Sequence, residues 1–527
     1  LINTSTKNEL KAILAHEFGH FSQSSMKLGS YVYNLNYTVY NLIFDSSSYD
    51  SLAQKWAGYH GVFTIFVKIA DIINSSISIV LRYLFSVLNK SYYGLSREME
   101  FHADEIAANL VGTGPLKSSL LRLNFSVTAF NEVYQFYNFN NHKGYLPINF
   151  YENHLQVLFE LSSMNKIPVS HNLPNLSLFD HKKFDKSKLI IKDQWASHPT
   201  IEERINRLDD LNLNSLNQDF EPAISLINDK ENILEYFTND LFAELEIDEV
   251  KKLNNSDFLK YYKEDLEKNS FPKIFKSYFD DKNPVYFEEN EIDEPYSLNQ
   301  NHIDFFSEEK VAENNLLMAL INDIHLIKSI ANDFIDASSF DYDGKRYSKN
   351  QAKDLYIELE AKQRNLETII NENDKNIFAY FRYLNQIKKS GFLEKFHLFL
   401  EYDKSFPEKV NFYNKCFEML SFTGENFEFE DILSNFKRFK PYENQLKNEL
   451  TELLNDKNIL EEIKPDDKNK ILKFLDEDLV YFGHTRYLDH NLKLLFNALQ
   501  SYYYLVSRKY FFLKKDLLIT MTHLIES

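Results

Sequence analysis

The pentapeptide His16-Glu17-Phe18-Gly19-His20 constrains this chain more than any other feature. It closes the run Glu9-Leu10-Lys11-Ala12-Ile13-Leu14-Ala15, which reads as an amphipathic helix with no proline to interrupt it. Residues four apart on a helix lie one turn apart on one face. Both imidazoles then point the same way and can grip one zinc ion. Glu17, between them, can act as a base on a water activated by that ion. Gly19 leaves room on the helix surface between the histidines.

Two histidines alone hold zinc weakly, so a third ligand is needed. The segment Ser96-Arg97-Glu98-Met99-Glu100-Phe101-His102-Ala103-Asp104-Glu105-Ile106-Ala107-Ala108 supplies a candidate. Its composition favours helix. Glu100 and Asp104, spaced i, i+4, project from one face. Glu100 is assigned as the third ligand. Asp104 is expected to accept the free ring N–H of His16, fixing its tautomer and raising its basicity. The competing reading is a solvated acidic helix face, which such clusters usually are; the pairing with the first motif favours the metal site. His102, two residues from Glu100, points elsewhere on the helix and reads as a polar contact or a partly buried residue.

The pattern resembles the HtpX-type and CAAX-prenyl-protease-type zinc metallopeptidases. Those proteins carry an LxAxLAHExGH helix, a later SRxxExxAD helix, and a Ser/Thr-His-Pro element leading into a Glu-Glu-Arg-Ile-type helix. Here these read Leu10 to His20, Ser96 to Asp104, and Ser197-His198-Pro199-Thr200-Ile201-Glu202-Glu203-Arg204-Ile205. The resemblance covers roughly residues 1–212. It implies a mainly α, gluzincin-type helical core with one zinc per chain on His16, His20 and Glu100. It implies Glu17 as general base in the hydrolysis of internal peptide bonds of protein or peptide substrates. It also implies His198 near the metal, donating a hydrogen bond to the developing oxyanion. The residues alone offer another reading of that element: Thr200-x-x-Glu203 is a capping-box pattern and Pro199 suits a helix start, so Ser197–Thr200 can simply open a helix.

The family resemblance further implies strands and a membrane segment ahead of the first motif. The chain starts at Leu1, just before that helix, and reads as a fragment lacking them. Membrane association with the active site on the cytoplasmic side, in membrane-protein quality control, is the expectation that follows. Between the zinc motifs, Tyr31 to Gly58 is rich in Tyr and Asn, and Gly61 to Leu88 is apolar. Lys68, Asp71 and Arg82 interrupt the latter, leaving only Ile72–Leu81 free of charge, too short for a span of about 20 residues. A buried helical hairpin, or helices at a membrane surface, is expected there.

At 527 residues the chain has room for two or three domains. Only 12 glycines against 45 phenylalanines and 33 tyrosines favours long helices with few tight turns. A net charge of −19 speaks against nucleic acid as a partner, because phosphate contacts need a basic face. The single cysteine, Cys416, excludes an internal disulfide. His60, His142, His154, His171 and His181 show no ligand spacing and read as structural. Asn138 to Pro147 and Leu173 to Lys192 read as loops.

The character of the chain changes after Leu213. Residues 1–213 read as the catalytic domain, and residues 214–527 as one or more acidic, aromatic-rich α-helical accessory domains. Helical patterns run over Ile233–Leu245, Glu313–Asp333, Gln351–Asn371 and Leu488–Leu505. Asp341-Tyr342-Asp343-Gly344 is turn-like and only faintly like a calcium loop. Two rival functions stand beside proteolysis: an inactive zinc-stabilised scaffold, and a chaperone-like binding protein. Glu17 speaks against the first, since a structural site has no use for a base there.

Overall fold

The chain enters its first helix through a reciprocal cap. Thr6 Oγ1 accepts from the backbone N–H of Glu9, and Glu9 Oε2 accepts from that of Thr6 at 2.8 Å. The computed structural model describes residues 1–22, 81, 83, 94–182, 189–190, 199–214, 219–244, 249–292, 302–335, 337, 339–343, 345–424, 427–483 and 486–526. The segment Tyr31 to Leu88 lies almost wholly outside the described residues, as do Ser197 and His198. Among the described residues, no helix is long and apolar enough to cross a membrane.

The fold is mainly α, as expected, and divides into two compact units. Unit 1 comprises Leu1–Tyr262 and Ala337–Lys349. Its helices include α1 (Lys7–Ser22), α2 (94–111), α3 (Thr113–Phe139), α4 (Phe150–Met164), α5 (Leu178–Lys182), α6 (Ile201–Leu211) and α7 (Lys230–Leu241). Small residues line the meeting of α1 and α2. Ala12 and Ala15 are buried with Ala107, Ala108 and Val111, joined by Leu116, Leu120 and Leu208. Gly19 continues that stripe. A Cβ there would stand 3.2 Å from the Cα of Ala103, so glycine is what lets the two helices approach. A second core joins Ala129, Val133, Phe136 and Tyr137 of α3 to Phe150, Val157 and Leu158 of α4, and on to Phe242, Leu253, Phe258 and Tyr262. Unit 1 therefore runs well past Leu213, where the composition shifts.

Short strands tie these helices together. Tyr145–Pro147 (β1) pairs in parallel with Lys251–Leu253 (β5), with Leu146 opposite Lys252. Gly144 opens β1 with φ of 75°, and a Cβ there would collide with the Glu249 carbonyl at 1.9 Å. Val169–Ser170 (β2) and Leu173–Pro174 (β3) form a hairpin closed by His171 and Asn172, both with positive φ (52° and 58°). Leu189–Ile190 (β4) pairs with Ser339–Tyr342 (β6), which pairs with Lys345–Ser348 (β7). This three-stranded sheet is why Ala337–Lys349 belongs to unit 1. The turn-like Asp341-Tyr342-Asp343 forms the end of β6 and the start of its turn, with Asp343 at φ of 51°.

Two loop expectations need correction. Asn138–Pro147 holds the end of α3, a 3₁₀ turn over Asn141–Lys143, and β1. Leu173–Lys192 holds β3, α5 and β4. Elements of two to five residues leave no periodic signal; their partners, distant in sequence, stabilise them.

Unit 2 comprises Lys263–Asp336 and Asn350–Ser527. Its long helices are Glu308–Ala331, Ala352–Lys388, Phe392–Met419, Phe429–Leu454 and Asp489–Glu526. The last supplies Leu494, Leu495, Ala498, Leu499, Tyr502, Leu505 and Val506 to one core, at helical spacing. Further along it supplies Leu517, Leu518, Met521 and Leu524 to a second, with Phe275, Phe279, Phe306, Phe378, Phe381, Phe392 and Phe396. Many of the aromatic side chains are thus spent on packing. Inside the second core, Asp374 accepts hydrogen bonds from Tyr278 Oη at 2.8 Å and from Lys282.

Candidate metal centre

α1 carries His16 and His20 on one face, and α2 presents Glu100 to them across the small-residue contact. His16 Nε2 and His20 Nε2 lie 3.2 Å apart. Glu100 faces both, with Oε2 3.4 Å from His16 Nε2 and Oε1 3.6 Å from His20 Nε2. With one donor atom taken from each residue, all three fall within 4.8 Å of one another. Four ligands at about 2.0–2.2 Å in a tetrahedron around zinc stand roughly 3.3–3.6 Å apart. The 3.4 and 3.6 Å contacts end on different oxygens of Glu100, so each imidazole faces its own carboxylate oxygen at about that spacing, and two imidazoles with one carboxylate are a donor set that zinc accepts. His16 and Glu100 are buried and His20 is half-buried.

The outer contacts decide which nitrogen is free. His16 Nδ1 lies 2.9 Å from Asp104 Oδ1. A carboxylate can only accept, so Nδ1 carries the hydrogen and Nε2 turns toward His20 and Glu100. Asp104 is buried and is itself gripped by Arg204, whose Nε donates to Oδ2 at 2.8 Å and whose NH2 donates to Oδ1 at 2.6 Å. Arg204 NH1 also lies 3.9 Å from Glu100 Oε2.

Charge follows from these contacts. Burial pulls the His16 imidazole down, Asp104 and Glu100 push it up, and Arg204 opposes them; the balance is a rise to about 9. Burial favours the neutral form of Asp104, but Arg204 and His16 hold its carboxyl below the usual range. Burial also opposes the Arg204 charge, yet Asp104, Glu100 and Glu17 keep it above its ordinary value. Glu17 is exposed on α1, close enough for its charge to act on Arg204.

The structure thus brings together His16, His20, Glu100 and Asp104, with Glu17 alongside on the same helix. His198 lies outside the described residues. The capping box that the alternative reading saw is present: Glu203 N–H donates to Thr200 Oγ1 at 3.1 Å, and Thr200 N–H to Glu203 Oε2 at 3.0 Å. His102 is exposed, where a polar contact or partial burial was expected, because it points away from the packed face of α2. His154 is buried, 2.8 Å from the Ser126 carbonyl, and burial lowers it to about 4. Sequence reasoning missed Arg204. The signal was a cation inside a motif read only for its capping glutamate.

A mainly α unit that packs an HExxH helix against a second acidic helix, with two histidines and a glutamate at metal-ligand distances, defines a metallopeptidase-type core. Residues 1–212, under half of the chain, match the model of Peptidase family M48. No curated protein and no solved structure matches the chain. The match supports a peptidase-type hydrolase, for which the substrates are proteins or peptides.

Proposed function

We propose that residues 1–213 form a zinc-dependent metalloendopeptidase domain holding one zinc ion on His16, His20 and Glu100. The observation that carries this reading is the convergence of His16, His20 and Glu100, whose donor atoms, one from each, lie within 4.8 Å of one another, with Nδ1 of His16 engaged by Asp104. When bound, zinc would supply a Lewis acid with a coordination position left open by three protein ligands. The chain supplies the rest. Asp104 holds His16 in the tautomer that offers Nε2. Glu17, exposed beside the ligands, takes a proton from the attacking water and delivers it to the leaving amine. His198, from the resemblance, steadies the developing oxyanion.

Residues 214–527 act in this reading as an accessory region that recruits substrate or controls access. Membrane association and a part in membrane-protein turnover are drawn from the resemblance and from the apolar sequence of Gly61 to Leu88. The test is Glu17→Gln. The amide is nearly isosteric but cannot take the proton, so zinc content should stay at one per chain while cleavage of an unfolded protein substrate is lost. Cleavage retained by that variant sinks the mechanism. Zinc content unchanged in His16→Ala/His20→Ala sinks the ligand assignment. A parent protein that binds zinc yet never cleaves would favour the scaffold reading.

A further inference from the structure

We propose that Arg204 is a positioning residue of the metal centre, acting through Asp104 to aim His16. This inference rests on the zinc reading above. A carboxylate touched by one imidazole alone can pivot about its Cβ–Cγ bond. Arg204 removes that freedom. Its planar fork takes both oxygens of Asp104, at 2.8 and 2.6 Å, and fixes the plane in which Oδ1 meets His16 Nδ1. The same guanidinium lies 3.4 Å from that Nδ1 and 3.9 Å from Glu100 Oε2, so besides clamping the aiming group it stands beside two of the candidate ligands. No local interaction explains the contact, for Arg204 stands on α6, 100 residues beyond Asp104.

Arg207 provides an internal comparison. One turn further along α6, it also clasps α2. Its Nε and NH2 donate to Glu105 Oε1 at 3.2 and 3.1 Å, NH1 lies 3.6 Å from Glu98, and the guanidinium sits 4.7 Å over the Phe101 ring. Those partners are none of the three donor residues. Two arginines thus join the same pair of helices, but one of them is wired to His16 and the other is not.

The experiment measures zinc affinity of the full chain by chelator competition, with the visible absorption of the cobalt(II)-substituted protein as a record of ligand geometry. Arg204→Ala and Asp104→Asn should each weaken zinc binding by roughly 10–100-fold, the usual effect of an outer partner. The double variant should be no weaker than the worse single, because both act along one path. Arg204→Lys keeps the charge but loses the fork; it should also weaken zinc and shift the cobalt spectrum, and it carries the test should Arg204→Ala fail to fold. Arg207→Ala should lower thermal stability yet leave zinc affinity and the spectrum as in the parent. The inference is overturned if Arg204→Lys binds zinc with parental affinity and spectrum, or if Arg207→Ala weakens binding as much as Arg204→Ala. A parent chain that binds no zinc, or binds it equally without His16, overturns the zinc reading itself and this inference with it.

Discussion

In the metal-free centre a proton should occupy the place that zinc takes. His16 is held by Asp104 on Nδ1 and faces Glu100 across 3.4 Å on Nε2, and these carboxylates outweigh burial to raise it from 6.5 to about 9. The folded metal-free protein therefore holds this proton more tightly than the unfolded chain does. The stability it contributes is fully present below about 6.5 and is lost as pH rises through about 9. Zinc needs the Nε2 lone pair, so it must displace that proton. Two pH units below about 9, only about one chain in a hundred has His16 neutral. At pH 7 the apparent zinc affinity should thus be roughly 100-fold below its high-pH limit, and should rise about tenfold per unit toward pH 9. Calorimetric titration in buffers of different ionisation heat counts the protons released. One proton per zinc from His16 is expected at pH 7, falling toward none above pH 9. Zinc binding that releases no proton at pH 7, with affinity flat from pH 7 to 9, would refute the argument.

Three further outcomes follow from packing. Gly19→Ala gains about 1 kcal/mol of helix propensity but places a methyl 3.2 Å from the Ala103 Cα, where overpacking costs roughly 1–3 kcal/mol. Denaturant titration should show it neutral to about 2 kcal/mol less stable, and Gly19→Val worse, with zinc weakened as α2 is pushed away carrying Glu100; a Val variant with parental zinc affinity contradicts this. Asp374→Ala strips the half-buried Lys282 and the buried Tyr278 of their shared acceptor and should destabilise unit 2 by roughly 3–5 kcal/mol; a loss under about 1 kcal/mol in urea unfolding contradicts the network. A chain ending at residue 213 forfeits Phe242, Leu253, Phe258 and Tyr262 from the second core of unit 1. It should lose cooperative thermal unfolding by circular dichroism, and a sharp, parent-like transition would show that the core closes without them.

The long helices were legible because each repeats one signal many times. The pattern read over Leu488–Leu505 is borne out and extends to a helix over Asp489–Glu526, whose apolar spacing persists through two successive cores. The short strands were not legible. Leu189–Ile190 is two residues long and exists through pairing with Tyr342 and Asp341, some 150 positions away. The end of unit 1 was hidden for a related reason: composition changes after Leu213, but Phe258 and Tyr262 pack back onto Phe136 and Tyr137, and long-range packing leaves no mark on local composition.

The candidate site was more legible than the fold around it. Metal chemistry demands particular side chains, and helix geometry demands particular spacings, so His16, His20, Glu100 and Asp104 could be placed by counting turns. Counting turns has a limit, however. It relates residues on one helix and says nothing of how two helices face each other. The identity of Gly19 had to be read from the contact itself: the glycine spaces α1 from Ala103 of α2 rather than separating its own two histidines. Arg204 lies beyond that limit as well. Its partner is on another helix, and the residue that should have demanded it is Asp104, a carboxylate buried at 2 % exposure. One imidazole does not satisfy a buried carboxylate with two oxygens, so a second donor had to come from elsewhere in the chain. Within the third motif segment it is Arg204 that carries its guanidinium to both oxygens at once.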